Sequence, residues 1–437
     1  MKLRFLSRCA LAVQAAAAVA VGMSGCGGND DPPFEPGKPA AFTPLATLVP
    51  ANASELDKHM QIARTAWANN SDITAPYWCS NAGQGSNPLL ADRSVIPITE
   101  LFDGFYFVGT VSVGQYVMKT PDGGYVLFDT MNNAADVQNI TIPQLQSAGI
   151  DPAKLRALIV THGHGDHDGG VLELQSRYSP ATTVVGSADY GANKPYQATV
   201  QVNSSDLNPH TLNVAGLTMT ALATPGHTPG TTSFILPVTY KGEQHKIAYL
   251  GGSAFPGTAA AALQYMRAAE TMYQQAKAQK ADSSINSHSF EDKTADRIKA
   301  IRAQGGIASS NPMIMGTEKV QLAFATLRAC SAAQLSVRDG TAKNPVWRPT
   351  KVEFYSGGFG GTGLVVAARV SNFFNVISGG EVKFTATDGP TCTAKTDADG
   401  VAICTMQAAP GPVTAEFAGL TGPDAIELSS AATRTVR

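Results

Sequence analysis

Charge is scarce in this chain. Of its 437 residues only 15% are Asp, Glu, Lys or Arg, the formal net charge is −2, and no stretch is rich in Lys and Arg. Recognition of nucleic acid needs cations clustered against phosphates. Their absence excludes a nucleic-acid partner and leaves a small-molecule substrate as the expectation. Long apolar runs are scarce too. Apart from a stretch near the N-terminus, no segment approaches the roughly 20 apolar residues that a membrane-spanning helix requires. No internal repeat is present, which excludes a solenoid. What is there is ample apolar material, 43% of residues, enough to bury a full core and to build more than one domain.

Lys2, Arg4 and Arg8 precede an apolar run from Cys9 to Val21, and small residues follow. This is the layout of an export signal, with an apolar segment too short to stay in the bilayer as a spanning helix. Met23-Ser24-Gly25-Cys26 resembles a bacterial lipobox, with Met23 in place of the more usual Leu. The resemblance implies that residues 1–26 are a lipoprotein signal peptide and that Cys26 carries lipid. The chain would then sit in the periplasm, tethered to the outer membrane and touching it only through that lipid. The alternative is an ordinary secretory peptide with an incidental Cys. Six cysteines occur in all, and those left after export meet an oxidising compartment in which disulfides persist. Cys392 and Cys404 flank a Thr-Asp-Ala-Asp-Gly turn at hairpin spacing and are expected to pair. Cys79 and Cys330 remain, either as a second pair or as two buried thiols.

Residues 27–50, rich in Pro, Gly, Asp and Ala, cannot bury enough apolar surface to order themselves and read as a flexible tether. From Phe105 the pattern becomes strand-like: Phe105 to Val108, Gln115 to Met118 and Tyr125 to Phe128, separated by Gly-rich turns. A short helix is expected to end near Ala148-Gly149. Strands Leu155 to Val160, Thr183 to Val185, Met219 to Ala223, Thr232 to Leu236 and Ile247 to Leu250 follow. They alternate with helical stretches at Ala259 to Gln279, Thr294 to Ala303 and Thr317 to Leu335. Such a mixture suggests a sheet-on-sheet core covered by helices over residues 51–340. Beyond about Asn344 the helical patterns vanish and short alternating segments appear, so residues 350–437 read as a separate all-β domain.

Of eight histidines, three fall within Thr161-His162-Gly163-His164-Gly165-Asp166-His167-Asp168-Gly169-Gly170. His162 and His164 lie two apart after an apolar strand and project to one side. Gly163 and Gly165 let the backbone turn and present Asp166 and His167 from another direction. Imidazole and carboxylate are ligands that zinc takes at about 2.0–2.2 Å. No Cys lies near the loop, which favours a catalytic site over a closed structural one. The bland alternative is a His-rich surface loop without metal. His59, His210 and His245 lie outside every motif and read as surface or core histidines. Asp168 reads as a helix N-cap, or else as a partner for a ligand imidazole.

The loop resembles the signature of the metallo-β-lactamase superfamily, and further pieces match in order across roughly residues 95–335. Asp129 in Leu127-Phe128-Asp129-Thr130 resembles the strand-ending Asp that supports the metal loop. His227 in Thr224-Pro225-Gly226-His227-Thr228-Pro229-Gly230 resembles the next ligand motif, and His288 in Asn286-Ser287-His288-Ser289-Phe290 the last, with Ser289 where the family usually has Pro. The resemblance implies an α/β fold, a four-layer αββα metallo-β-lactamase sandwich. It further implies two Zn2+ per chain, one held by His162, His164 and His227, the other by Asp166, His167 and His288.

The strand Ile247 to Leu250 runs into Gly251-Gly252-Ser253-Ala254 without the Asp that most hydrolytic branches carry. Ser253 in that place resembles the third subclass of metallo-β-lactamases, although Phe255 replaces a second Ser that helps to bind substrate there. Asp166 and Ser253 are therefore the candidate catalytic residues: Asp166 to steer water or shuttle a proton, Ser253 to orient a metal-bound water, or else to serve as a plain turn residue. A water shared by two zinc ions loses a proton near neutral pH and attacks a carbonyl carbon, one metal polarising the carbonyl oxygen and the other stabilising the leaving group. The leading expectation is β-lactam hydrolysis, followed by hydrolysis of a lactone, thioester or other ester. A third reading is a cell-surface binding protein with a vestigial metal site. Iron or manganese suits the same ligand types. Residues 350–437 resemble bacterial Ig-like domains through Gly380 to Thr385, Thr396 to Ala402 and Pro412 to Ala415. That implies a small all-β Ig-like sandwich that does no chemistry and serves as a structural spacer, or else contacts cell-surface components.

Overall fold

Strand β4, Tyr125–Phe128, displays the rule on which the fold is built: Val126 and Phe128 enter one core, Tyr125 and Leu127 another. Successive side chains of a strand point to opposite faces, so a strand that is apolar throughout needs a layer on each side. The computed structural model describes residues 34–69, 88–361 and 363–437. The expected signal peptide, its Cys26, and Cys79 lie outside the described residues. A seven-stranded sheet runs in order β1 (Val95–Phe102), β2 (Phe105–Thr110), β3 (Gly114–Lys119), β4, β5 (Leu155–Ile159), β6 (Thr182–Gly186), β7 (Val200–Val202). It is antiparallel up to β4 and parallel from β4 to β7. A second sheet has five strands: β8 (His210–Val214), β9 (Leu217–Ala223), β10 (Thr232–Tyr240), β11 (Glu243–Leu250) and β12 (Ser283–Asn286), with β12 parallel to β11.

The two sheets pack face to face through Phe107, Tyr116, Phe128 and Ile159 on one side and Phe234, Ile247, Tyr249 and Ile285 on the other. Burying each such side chain contributes about 1.5–3 kcal/mol. On the outer face of the first sheet, Leu127, Leu158 and Val160 pack with Leu145 and with Val171 and Leu174, the last two from the helix Val171–Tyr178. On the outer face of the second, Leu222, Ile235 and Ala248 meet Met272 of the helix Ala259–Ala278 and Phe324 of the helix Thr317–Arg338. Helix, sheet, sheet, helix is the order expected.

After these layers, β13 (Val346–Arg348) leads into an all-β part. One sheet joins β14 (Thr350–Gly360), β15 (Gly363–Asn372) and β18 (Val401–Met406). A second joins β16 (Glu381–Ala386), β17 (Thr391–Lys395), β19 (Gly411–Phe417) and β22 (Ser430–Val436), and a small third joins β13 to β20 (Leu420–Thr421) and β21 (Ala425–Glu427). Val366, Ala368 and Val370 face Val382, Phe384, Val413 and Phe417, which makes a β-sandwich. Cys392 and Cys404 are bonded. The bond does not close a two-stranded hairpin, because β17 pairs with β16 and β18 with β15, so it links the two sheets. Trp347 sits in the helical layer, its ring 5.2 Å from that of Tyr273 and 5.0 Å from the Arg328 guanidinium carbon. Residues 34–50 form no helix or strand, yet Leu45 N–H donates to Phe373 O at 2.8 Å and the Arg369 guanidinium to Ala40 O at 2.6 Å. No helix among the described residues is long and apolar enough to cross a membrane.

Candidate metal centre

The loop that follows β5 hangs on one carboxylate. Asp129, fully buried just beyond β4 with a positive φ of 61°, accepts hydrogen bonds from Thr161 N (2.8 Å), Thr161 Oγ1 (3.0 Å), Ser287 Oγ (2.6 Å) and Tyr249 OH (3.2 Å). It also accepts from His167 Nδ1 at 2.8 Å. A buried charge is tolerated only when its lone pairs are filled in this way. Asp129 thus joins the ends of β4, β5, β11 and β12; five of the six expected ligands follow β5 or β12, and the sixth, His227, follows β9.

His162, His164 and His227 converge, with one ring nitrogen from each lying within 4.8 Å of the others. His162 Nδ1 donates to Gly251 O at 2.7 Å and His227 Nδ1 to Ala254 O at 2.8 Å. A carbonyl oxygen only accepts, so the proton of each ring is fixed on Nδ1 and the lone pair on Nε2. The two Nε2 atoms lie 3.0 Å apart. Burial holds the pKa of His162 far below the usual value and that of His227 at about 3, so both rings are neutral. Two lone pairs at that separation repel each other, and a shared cation turns the repulsion into attraction. The three residues fit a divalent metal for that reason. The His227 loop also needs its glycine: Gly226 has φ 139°, and a Cβ there would lie 2.5 Å from Tyr265 N.

Asp166, His167 and His288 form the second cluster, again within 4.8 Å. His288 Nδ1 donates to Ser112 O at 2.7 Å, the Nε2 atoms of His167 and His288 are 3.3 Å apart, and Asp166 Oδ2 is 3.5 Å from each. Burial opposes ionisation of Asp166, but the hydrogen bond and charge of His167, with the charge of His288, hold its carboxyl well below the usual range. Burial likewise opposes a charge on His167, yet the Asp129 and Asp166 carboxylates outweigh it and raise the pKa to about 10. Two imidazoles and a carboxylate are a donor set that zinc accepts. The His162 and His167 rings, one from each cluster, have centroids 3.9 Å apart, so the clusters adjoin. His164 is exposed and Asp166 half-buried, which opens the pair to solvent on that side.

Ser253 is buried, and its Oγ makes no hydrogen bond among the described residues. Its carbonyl accepts from Tyr265 OH at 2.8 Å. Glu291 escaped notice in the sequence because it belongs to no motif. Burial raises the pKa of its carboxyl against the influence of His288, Ser253 and His167, and its Oε2 is unpartnered among the described residues. The expectation for Asp168 is corrected. Its carboxylate pairs with Lys194 and accepts from Tyr196 OH at 3.0 Å, while the helix Val171–Tyr178 has Gly170 at its N-cap and no side-chain cap. His59 is a core histidine; His245 pairs with Asp282 at 2.6 Å and His210 lies 3.5 Å from Asp206, all three outside both clusters. Phe255 packs on Tyr265, ring centroids 5.2 Å apart, and joins the helical layer.

Residues 108–255 match the family model described as the Metallo-beta-lactamase superfamily. Fold, site and match together define a metallo-β-lactamase superfamily domain. The chain is 32% identical over 118 residues to a hydroxyacylglutathione hydrolase of Rhodopseudomonas palustris (strain HaA2), a stretch that covers 26% of this chain and 44% of that protein. It is 32% identical over 134 residues to an atrochrysone carboxyl ACP thioesterase of Passalora fulva, covering 30% and 35% respectively. The chain therefore spans less than half the length of these curated relatives. Among solved structures it is similar to a subclass B3 metallo-beta-lactamase of Bradyrhizobium japonicum, at 23% identity and a TM-score of 0.46, over 57% of this chain and 97% of that one.

Proposed function

We propose that the chain is a metal-dependent hydrolase that cleaves a carbonyl-to-heteroatom bond, with His162, His164 and His227 holding one ion and Asp166, His167 and His288 a second. The observation that carries this reading is the pair of Nε2 atoms, each with its proton fixed on the far nitrogen, facing each other at 3.0 Å. Zinc is the ion the donors favour; when bound, it lowers the pKa of water and polarises a carbonyl oxygen.

The chain's own residues supply the remaining steps. Asp166 turns Oδ2 toward His167 and His288, and its other carboxylate oxygen would orient the attacking water and pass the proton of that water to the leaving atom, a role open to it because it is the partly exposed acid of the two clusters. Asp129 holds the Nδ1 proton of His167, so it is the Nε2 proton that a metal would displace, which leaves the Nε2 lone pair turned toward His288 and Asp166. Ser253 Oγ, which among the described residues has only the Glu291 carboxyl for a polar neighbour, would offer a hydrogen bond to a polar group of the substrate.

A β-lactam amide is the leading substrate, since β11 ends in Gly251-Gly252-Ser253 with no carboxylate there. A thioester is the second reading, favoured by the names of the curated relatives. The deciding experiment gives the zinc-loaded full chain nitrocefin, a carbapenem, a hydroxyacylglutathione and a lactone. The expected result is β-lactam cleavage, reduced by a factor of about 100 or more in Asp166→Asn. Turnover of the thioester alone moves the assignment to the second reading, and hydrolysis of none of the four refutes both. Full turnover by Asp166→Asn with both zinc ions retained removes Asp166 from the mechanism.

A further inference from the structure

The peptide between His162 and His164 is gripped from both sides. Gly163 N–H donates to Asp189 Oδ2 at 2.8 Å, and Gly163 O accepts from Lys194 Nζ at 2.7 Å. Asp189 lies just past β6, in the short turn Ser187–Asp189, and belongs to neither histidine motif. The same carboxylate reaches the other ligand loop, where Oδ2 accepts from Thr228 Oγ1 at 2.6 Å and Oδ1 from Gly230 N at 2.8 Å. Thr228 follows His227 directly, and Gly230 lies three residues after it. Lys194 is itself held by Asp168. The packing leaves no slack: a Cβ on Gly163 would lie 3.0 Å from Asp189 Cβ, and one on Gly230 would lie 2.5 Å from Asp189 Cγ.

We infer that Asp189, backed by Lys194, is a positioning residue that sets the spacing of His162, His164 and His227 by tying their two loops to the end of β6. The inference rests on the reading that these three histidines bind a metal. His162 and His164 flank the gripped peptide, so its orientation sets the angle between their rings. Thr228 and Gly230 bring His227 to the same anchor. An Asp189→Asn side chain keeps the shape but replaces one acceptor oxygen with a donor. Three donors converge on this group, so at least one tie is lost.

The test is zinc affinity, measured by chelator competition on the full chain in two backgrounds: His288→Ala, which leaves the first cluster intact, and His164→Ala, which leaves the second. Asp189→Asn is expected to weaken zinc binding about 10- to 100-fold in the first background and by less than about twofold in the second. Equal losses in both backgrounds, accompanied by a lower melting temperature, mark a merely structural residue and overturn the inference. Unchanged affinity in both overturns it as well. Thr228→Val removes one tie alone and is expected to shift the first affinity in the same direction by less; it decides the matter if Asp189→Asn does not fold. If the parent background binds no zinc, the metal reading itself fails and takes this inference with it. That result is distinct from a parent that binds and a variant that binds equally well.

Discussion

At the scale of single residues the centre is organised less by the ligands than by the acids behind them. Asp129 carries five hydrogen bonds in a fully buried position. Asp129→Ala leaves the Thr161 amide, the Ser287 hydroxyl and His167 Nδ1 without their acceptor. The expected cost is about 3–5 kcal/mol, since removing one side of a buried charged network exposes the unpaired remainder; urea unfolding of the metal-free protein measures it. The six clustered residues were legible in the sequence for unequal reasons: His162, His164, Asp166 and His167 share one glycine-rich loop and His227 lies between Pro-Gly pairs, whereas His288, in Asn286-Ser287-His288-Ser289-Phe290, has neither glycine nor proline beside it and was placed only by its order in the resemblance. Asp189 and Glu291 were not, for a physical reason. Each acts through space on a loop 26 residues away or on a strand end reached only by folding, and no local spacing encodes that. Asp168 was misread because an acid before two glycines looks like a cap until Lys194 and Tyr196 arrive from a distant segment.

At the scale of elements, the helix Glu55–Asn69 shows what local patterning misses. It is held by Ile62 and Ala63 against Ala329 of the helix Thr317–Arg338, and the face it buries, His59, Ile62, Ala63, Thr65 and Ala66, is made mostly of small or polar side chains. His59 on this helix is 1% exposed, and burial, with the Arg328 charge adding to it, lowers its pKa from 6.5 to about 4. The unfolded chain takes up this proton first. The stability that depends on a neutral His59 is therefore fully present above pH 6.5 and is lost as the pH falls toward 4, by about 3 kcal/mol. Thermal melts of His59→Leu between those limits should lose less stability than the parent by about that amount. Strand β12, Ser283–Asn286, was invisible for the opposite reason. Three of its four residues are polar, yet all are buried, because β11 supplies a parallel partner and the helix Thr317–Arg338 covers it. By contrast β4 is apolar throughout, β5, β10 and β11 contain the apolar runs Ala157 to Ile159, Phe234 to Leu236 and Ile247 to Leu250, β9 alternates Met219 and Ala221 with threonines, and the helix Ala259–Ala278 is a long run of strong helix formers, all of which local reading recovers.

At the scale of the whole molecule, period-two strands interspersed with long helices already implied a sandwich of sheets under helices. The way the C-terminal strands divide between sheets was not implied, because sheet membership is decided by partners far along the chain. Cys392 and Cys404 illustrate this: their spacing suits a hairpin, but their strands belong to opposite sheets.

The histidines also straddle a boundary. His162, His164 and His167 follow a strand of the first sheet, whereas His227 follows β9 and His288 follows β12, both of the second. An ion held by either cluster, as proposed, would thus be a rivet through the seam of the sandwich. Stripping the ions with a chelator is expected to let the seam breathe, so that amides of β5, β9 and β12 exchange with deuterium sooner than those of β2 or β16. The unfolding free energy should fall by about 2.7 kcal/mol for each site that had been held at a hundredfold excess of ion over its dissociation constant.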